Sequence, residues 1–197
     1  MKKLYLKSRP AYLVLFIIGS LFLNCQQEET TSSDSSISRT LQVQQTAKDY
    51  FSTFSQRQDW DKLCSFYRED LIFDDVLLHL HLDSLWKFKR FYNWPDTGFH
   101  KLSPDQEHLA IESLVANDSM AVARGHLNPF YYYGKLIDSD WGMEFTIWLY
   151  FDEHLKIRKQ VDWFEYDPNV MESVIKRYRS QGVNKIPDWL DLSPGEK

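Results

Sequence analysis

Residues 157–168 read IRKQVDWFEYDP. Ile157 to Glu165 predicts a strand that closes a sheet. Asp167-Pro168 then predicts the start of a helix, with Asp167 as N-cap and proline at the first helical position. That helix extends to about Gly182, where a glycine can end it. On a strand, side chains two apart share a face. Arg158, Gln160, Asp162 and Phe164 are therefore expected on one face, and Ile157, Lys159, Val161 and Trp163 on the other.

Upstream of this segment the chain keeps period two. Met143, Phe145, Ile147, Leu149 and Phe151 form one face of a longer strand, and Asp152-Glu153-His154 is the turn after it. His108 to Val115 alternates, Asn117-Asp118 marks a hairpin turn, and Met120 to Leu127 alternates again. Before Pro104 the pattern is helical. Val43, Ala47, Tyr50, Phe51 and Phe54 recur at spacings of three and four and line one helix face. Asp59 is placed to cap a second helix carrying Trp60, Leu63 and Tyr67. Leu71-Ile72-Phe73 reads as a strand, and Asp83 or Ser84 caps a third helix, LWKFKRFYNW, ended by Pro95. Helices first and an antiparallel meander after them predict an α+β domain. Its bounds are 41–182, followed by a tail at 183–197, and no internal repeat is present.

Two stretches carry a family resemblance: QDWDKLCSFYREDLIFDD after the first helix, and Val161 to Pro168 with its acid and aromatics. With the element order, they make residues 41–180 similar to the nuclear transport factor 2-like superfamily, most of all its SnoaL-like branch. The resemblance implies a strongly curved sheet wrapped around N-terminal helices like a cone, with a pocket at the open end. Relatives include polyketide cyclases, scytalone dehydratase, limonene epoxide hydrolase and ketosteroid isomerase, and many others that only bind a ligand or a partner. The fold therefore does not decide the activity.

The resemblance also implies that Asp162 projects into the pocket as a general acid or base. A carboxyl among aromatics has its charged form disfavoured, which suits proton transfer next to a carbonyl. The bland alternative is an Asp162 paired with Arg158 or Arg124. His126 is the second catalytic candidate, able to orient or protonate a facing carboxyl. Trp148, Tyr150, Phe164, Arg124 and Tyr132 are the candidate ligand contacts, since small-molecule sites combine aromatics with a few polar groups. Asp74 or Asp75 is a further candidate for the cavity mouth. His79-Leu80-His81 would place two imidazoles on one strand face, but no third ligand accompanies them at the usual spacing, so no metal is expected. Phosphate loops, nucleophile elbows and Walker patterns are absent from the sequence, and no cofactor is expected. Cys64, in the apolar pattern DWDKLCSFY, reads as a small buried hydrophobe.

The N-terminus carries a separate signal. Lys2, Lys3, Lys7 and Arg9 precede an apolar run, Ala11 to Leu23. The run is shorter than the roughly 20 residues a spanning helix needs, so 1–24 reads as a signal peptide. Cys25 follows directly and resembles the lipidated cysteine of bacterial lipoproteins of the Bacteroidetes type. Gln26-Gln27-Glu28-Glu29 resembles the acidic tag that sends some of them to the cell surface. Residues 25–40 are then a lipidated Cys and a flexible linker. An outer-membrane lipoprotein of the cell envelope is the expected location, with the lipid as its contact to the membrane. The whole chain has 23 basic and 28 acidic residues, a net charge of −5. Loss of the four basic residues of the signal leaves 19 against 28, or −9. That acidic balance argues against a nucleic-acid partner. Three functions compete: a pocket that binds a small molecule, a cofactor-independent lyase, isomerase or cyclase using Asp162 with His126, and an envelope scaffold that forms a homodimer through its sheet.

Overall fold

Apolar spacing sets the first element. Val43, Ala47, Tyr50, Phe51 and Phe54 are all at most 2% exposed on helix α1, residues 36–56. A computed structural model describes residues 36–94 and 98–180, with side chains up to residue 176. The expected signal peptide 1–24, the expected lipidation at Cys25, residues 26–35 of the expected linker 25–40 and the tail 183–197 lie outside the described residues, and residues 36–40 of that linker are helical. The chain divides into two compact units, Met1–Arg39 and Thr40–Lys197. All the strands lie in the second.

Asp59 accepts the backbone N–H of Lys62 at 2.8 Å and so caps α2, Trp60–Ser65. Tyr67, expected on that helix, instead opens strand β1, Tyr67–Asp75. The helix ends first because Phe66 folds its N–H back onto Leu63 and Cys64 as a C-cap. Then come β2 (Leu80–Leu82), α3 (Leu85–Tyr92), β3 (Phe99–Lys101), β4 (Leu109–Ala116) and β5 (Met120–Leu127). Asn117 Oδ1 accepts the N–H groups of Ser119 and Met120, which closes the β4–β5 hairpin where the sequence marks a turn. Two short strands follow, β6 (Phe130–Tyr132) and β7 (Lys135–Ile137), then β8 (Phe145–Phe151) and β9 (Ile157–Phe164). Asp167 caps α4, Pro168–Ser180, by accepting the Asn169 N–H at 2.8 Å.

Six strands form one sheet in the order β2-β1-β9-β8-β5-β4, and β3-β6-β7 form a second. All neighbours in the large sheet are antiparallel except β1 and β9. Its inner face is apolar, with Ala121, Ala123, Phe145, Ile147 and Leu149 nearly inaccessible and packed with α1 residues in one core. Bulges interrupt the β4–β5, β8–β9 and β1–β9 pairings. A bulge bends its strand and increases the local twist, which curves the sheet around the helices. The bulge between Tyr150 and Phe151 also resets the face pattern of β9. Ile157 is buried, and Arg158 points outward over the Tyr150 ring at 6.0 Å, away from the face of Gln160 and Asp162.

Gly125 on β5 marks a close approach. A Cβ there would lie 1.9 Å from the Ala110 carbonyl oxygen of β4, so the strand admits only glycine at this point.

Candidate functional site

A cavity of about 120 Å³ opens where α1, α3, the small sheet and α4 meet the end of β9. Its wall is mostly apolar. Phe54 comes from α1, Phe91 from α3, Phe130 and Tyr132 from β6, Phe164 from β9, and Val170 and Val174 from α4. Polar groups enter at few points: Arg57, Tyr92, Asn93, His108 and Tyr166. This mixture suits a small, largely apolar molecule held in one orientation.

Three lining residues have left-handed backbones without being glycine: Arg57 (φ 52°), Asn93 (φ 35°) and Met143 (φ 46°). Arg57 and Asn93 each follow the last turn of a helix, α1 and α3, and bond back to it through their N–H groups. Such conformations cost free energy in a side-chain-bearing residue and gather at functional sites.

Behind the cavity wall lies a buried polar network. Tyr92 is hydrogen-bonded through its hydroxyl to Asp162 Oδ2 at 2.9 Å. Gln160 Nε2 donates to Asp162 Oδ1 at 2.8 Å, and Gln160 Oε1 faces the hydroxyls of Tyr67 at 2.6 Å and Tyr50 at 3.0 Å. Asp162 and Gln160 are fully buried. Asp75 is the register partner of Asp162 across β1 and β9 and is also buried. Tyr166 donates to Asp75 Oδ2, and the Leu78 N–H to its other oxygen at 2.9 Å.

Burial first, and the neighbouring Asp75 second, push the Asp162 carboxyl up to about 8. Burial pushes Asp75 up to about 6, opposed by its Tyr166 and backbone hydrogen bonds. At neutral pH Asp162 is therefore mostly protonated. Both carboxyl oxygens accept, Oδ2 from the Tyr92 hydroxyl and Oδ1 from Gln160, and these bonds oppose the upward shift. Tyr92 is itself a wall residue, so its hydroxyl links the cavity wall to the buried acid. The arrangement can give a proton or a hydrogen bond to a ligand oxygen while the acid stays out of solvent. Burial, then the Asp162 charge, hold the Tyr92 hydroxyl well above the usual phenol range.

Phe164 and Tyr132, expected from the sequence as ligand contacts, line the cavity. Asp162 stands one hydrogen bond behind it. His126 does not join Asp162. It shares the outer face of β5 with Arg124 and pairs through Nδ1 with Glu112 at 3.0 Å. Asp162 pairs in register with Ile147 on the inner face, so the sheet separates the two side chains. Arg124 bonds Glu144 at 2.7 Å on that outer face, away from Asp162. Trp148 and Tyr150 also face outward, where with Thr146, Val161 and the half-exposed Trp163 they form a shallow groove. Their alternation with Ile147 and Leu149 signals two faces, and the inner one went to the aliphatic set.

Asp74 pairs with His81 and Lys159 at the surface, whereas Asp75 turns inward. His79 lies in a left-handed turn before β2, so the two histidines do not present one strand face. Cys64 is buried, with its thiol pushed up to about 11 by burial. Arg57, His108 and Tyr92 were not singled out from sequence. Tyr92 lies in the helical run LWKFKRFYNW, where an aromatic reads as core.

Comparison with known proteins bears on the fold. No protein-family model and no curated protein matches the chain. Among solved structures, a protein described as a SnoaL-like polyketide cyclase from Shewanella putrefaciens CN-32 is similar with a TM-score of 0.51 and 21% identity, over 68% of this chain and 96% of that one. A second one so described, from Shewanella denitrificans OS-217, gives 0.50 and 19%, over 68% and 96%. An LEH-like epoxide hydrolase from M. tuberculosis gives 0.50 and 11%, over 74% and 98%. The domain therefore has the α+β fold of the SnoaL-like and nuclear transport factor 2-like proteins.

Proposed function

Taking that fold as premise, we propose that the domain binds a small, mostly apolar molecule in its cavity and is carried on an exported lipoprotein. One observation carries the binding role: an apolar cavity whose wall includes Tyr92, its hydroxyl hydrogen-bonded to the buried Asp162. Such a site orients a ligand oxygen against an aromatic wall. The test is mass spectrometry of small molecules retained by purified residues 26–197. A retained molecule that is lost in a cavity-filling Val170→Phe variant is expected. Equal retention by both proteins would overturn the role. Lipid attachment is tested separately, by palmitate labelling that disappears in Cys25→Ala.

A catalytic role rests on the same Tyr92–Asp162 hydrogen bond. In a lyase, isomerase or cyclase of this kind Tyr92 would touch the substrate and Asp162 would position and re-protonate it. His126 has no part in this version. The discriminating result is a product in the wild-type cavity and the unconverted precursor in Tyr92→Phe. The same molecule in both proteins would leave binding alone. The exposed groove around Trp163 supports the scaffold alternative, in which two copies associate through their sheets.

A further inference from the structure

Arg57 is the cation of the cavity wall. It leaves α1 at its C-terminal end, where the left-handed backbone would suit glycine or asparagine better. Its guanidinium lies over the Phe99 ring, 3.8 Å from the centroid, with Trp94 at 5.1 Å. Arg68 and Arg124 each pair with an acid. Arg57 has no carboxylate partner and no side-chain hydrogen bond among the described residues. Aromatic faces stabilise a guanidinium, yet they do not engage its in-plane N–H donors. Arg57 is half-buried, and a charge drawn partly out of solvent is stabilised by a counter-charge.

The surroundings reinforce the point. His108, stacked edge-on against Phe99 and Phe130, is 7% exposed, and its Nδ1 has no partner among the described residues. Burial and the adjacent Arg57 charge keep it neutral, well below the usual imidazole range. Burial also pulls Arg57 down to about 10, which leaves it charged at neutral pH. The two acids behind the wall do not neutralise it. Asp162 is bonded to Tyr92 and Gln160, and Asp75 to Tyr166 and the backbone.

We propose that the ligand is a small carboxylic acid, its apolar body between the phenylalanines of the wall and its carboxylate paired with the Arg57 guanidinium. A planar fork of N–H donors fits a carboxylate in two parallel hydrogen bonds, and only an anion also supplies the missing charge. This rests on the binding role argued above and adds the ligand's chemical class.

Phenylacetate and its neutral isostere phenylacetamide distinguish the two levels. Calorimetric titration of residues 26–197 at pH 7.5 in low salt is expected to show phenylacetate bound at least about tenfold more tightly, the scale of a charge-assisted hydrogen bond. Arg57→Met should abolish that preference and keep the weak amide binding. Arg57→Lys should retain part of the preference, a result that mere misfolding would not produce. Equal affinity for the two compounds in the unmodified protein overturns the carboxylate assignment and leaves the apolar pocket standing. Binding of neither overturns both. Asp96→Asn is the control for residues 95–97, which lie outside the described set. An anion preference that emerges only in that variant also overturns the assignment.

Discussion

Asp75 on β1 and Asp162 on β9 are register partners across a parallel strand pair, and each carboxyl is bonded to a tyrosine of the cavity wall. Both are held above the ordinary carboxylate range, Asp75 to about 6 and Asp162 to about 8. A raised acid binds its proton more tightly in the folded state. Its stabilising contribution is complete below the unfolded value, roughly 4, and is lost as pH rises through the folded value. The contribution of the two acids should therefore fall from about pH 4 to about pH 9, by an amount on the order of a few kcal/mol. His108 acts in the opposite sense. It is held below its usual range, so its contribution is complete above about pH 6.5 and lost as pH falls. Urea midpoints across this range should peak in weak acid. Asp162→Asn mimics the protonated acid and should flatten the alkaline fall without changing the acidic one.

Gln160 joins three side chains, Tyr50, Tyr67 and Asp162, and its removal should cost more than removal of one of them. Gln160→Leu leaves Asp162 Oδ1 without its donor and leaves the Tyr50 and Tyr67 hydroxyls only each other as partners. The expected loss is about 3 kcal/mol or more, against about 1 kcal/mol for Tyr67→Phe, which removes a single hydroxyl. Chemical denaturation of both variants at one pH checks the ratio. Equal losses would contradict the network.

Gly125→Ala should be among the most damaging small substitutions in the sheet. Its Cβ would meet a backbone oxygen that cannot rotate away. An expected loss of about 3 kcal/mol or more follows from overpacking plus a broken strand pair. The melting temperature measures it, with Ala123→Gly on the same strand as the reference for a simple loss of volume.

Trp163 is 51% exposed beside Trp148 and Tyr150 on the outer face. If copies associate through this face, sedimentation of residues 26–197 should show a dimer that Trp163→Lys converts to monomer. A monomer at all concentrations would remove the scaffold alternative.

Much of the fold was legible because two-sided strands write their period into the sequence. Met143 to Phe151 and Met120 to Leu127 alternate in burial as they alternate in polarity. The caps Asp59 and Asp167 were legible because they depend on neighbours only. Face polarity was harder. Trp148 and Tyr150 resemble pocket residues in sequence, yet they face out, because the aliphatic alternate set competed for the core. The Arg158 position turned on a bulge, and bulges leave little trace in a residue pattern. The site itself was half legible. Asp162 stood out as an acid among aromatics. Asp75 stood out only as one of two acids for the cavity mouth and Tyr92 not at all, since both come from elements distant in the chain. Arg57 was hidden for another reason: one arginine after a helix looks like solvated surface until β3 brings Phe99 over it.

The parallel pairing of β1 with β9 has a kinetic consequence. Tyr166 reaches Asp75 across 91 residues, and Tyr50 reaches Gln160 across 110. Closing loops of that length is entropically costly and slows folding. During synthesis, β1 must wait with an unpaired edge until nearly the whole domain has emerged. The carboxyl pair and the tyrosines that satisfy it are then assembled in the same event that seats the last strand. A nascent or truncated chain ending before β9 has neither a closed sheet nor a site, so ligand binding and complete folding report on the same step.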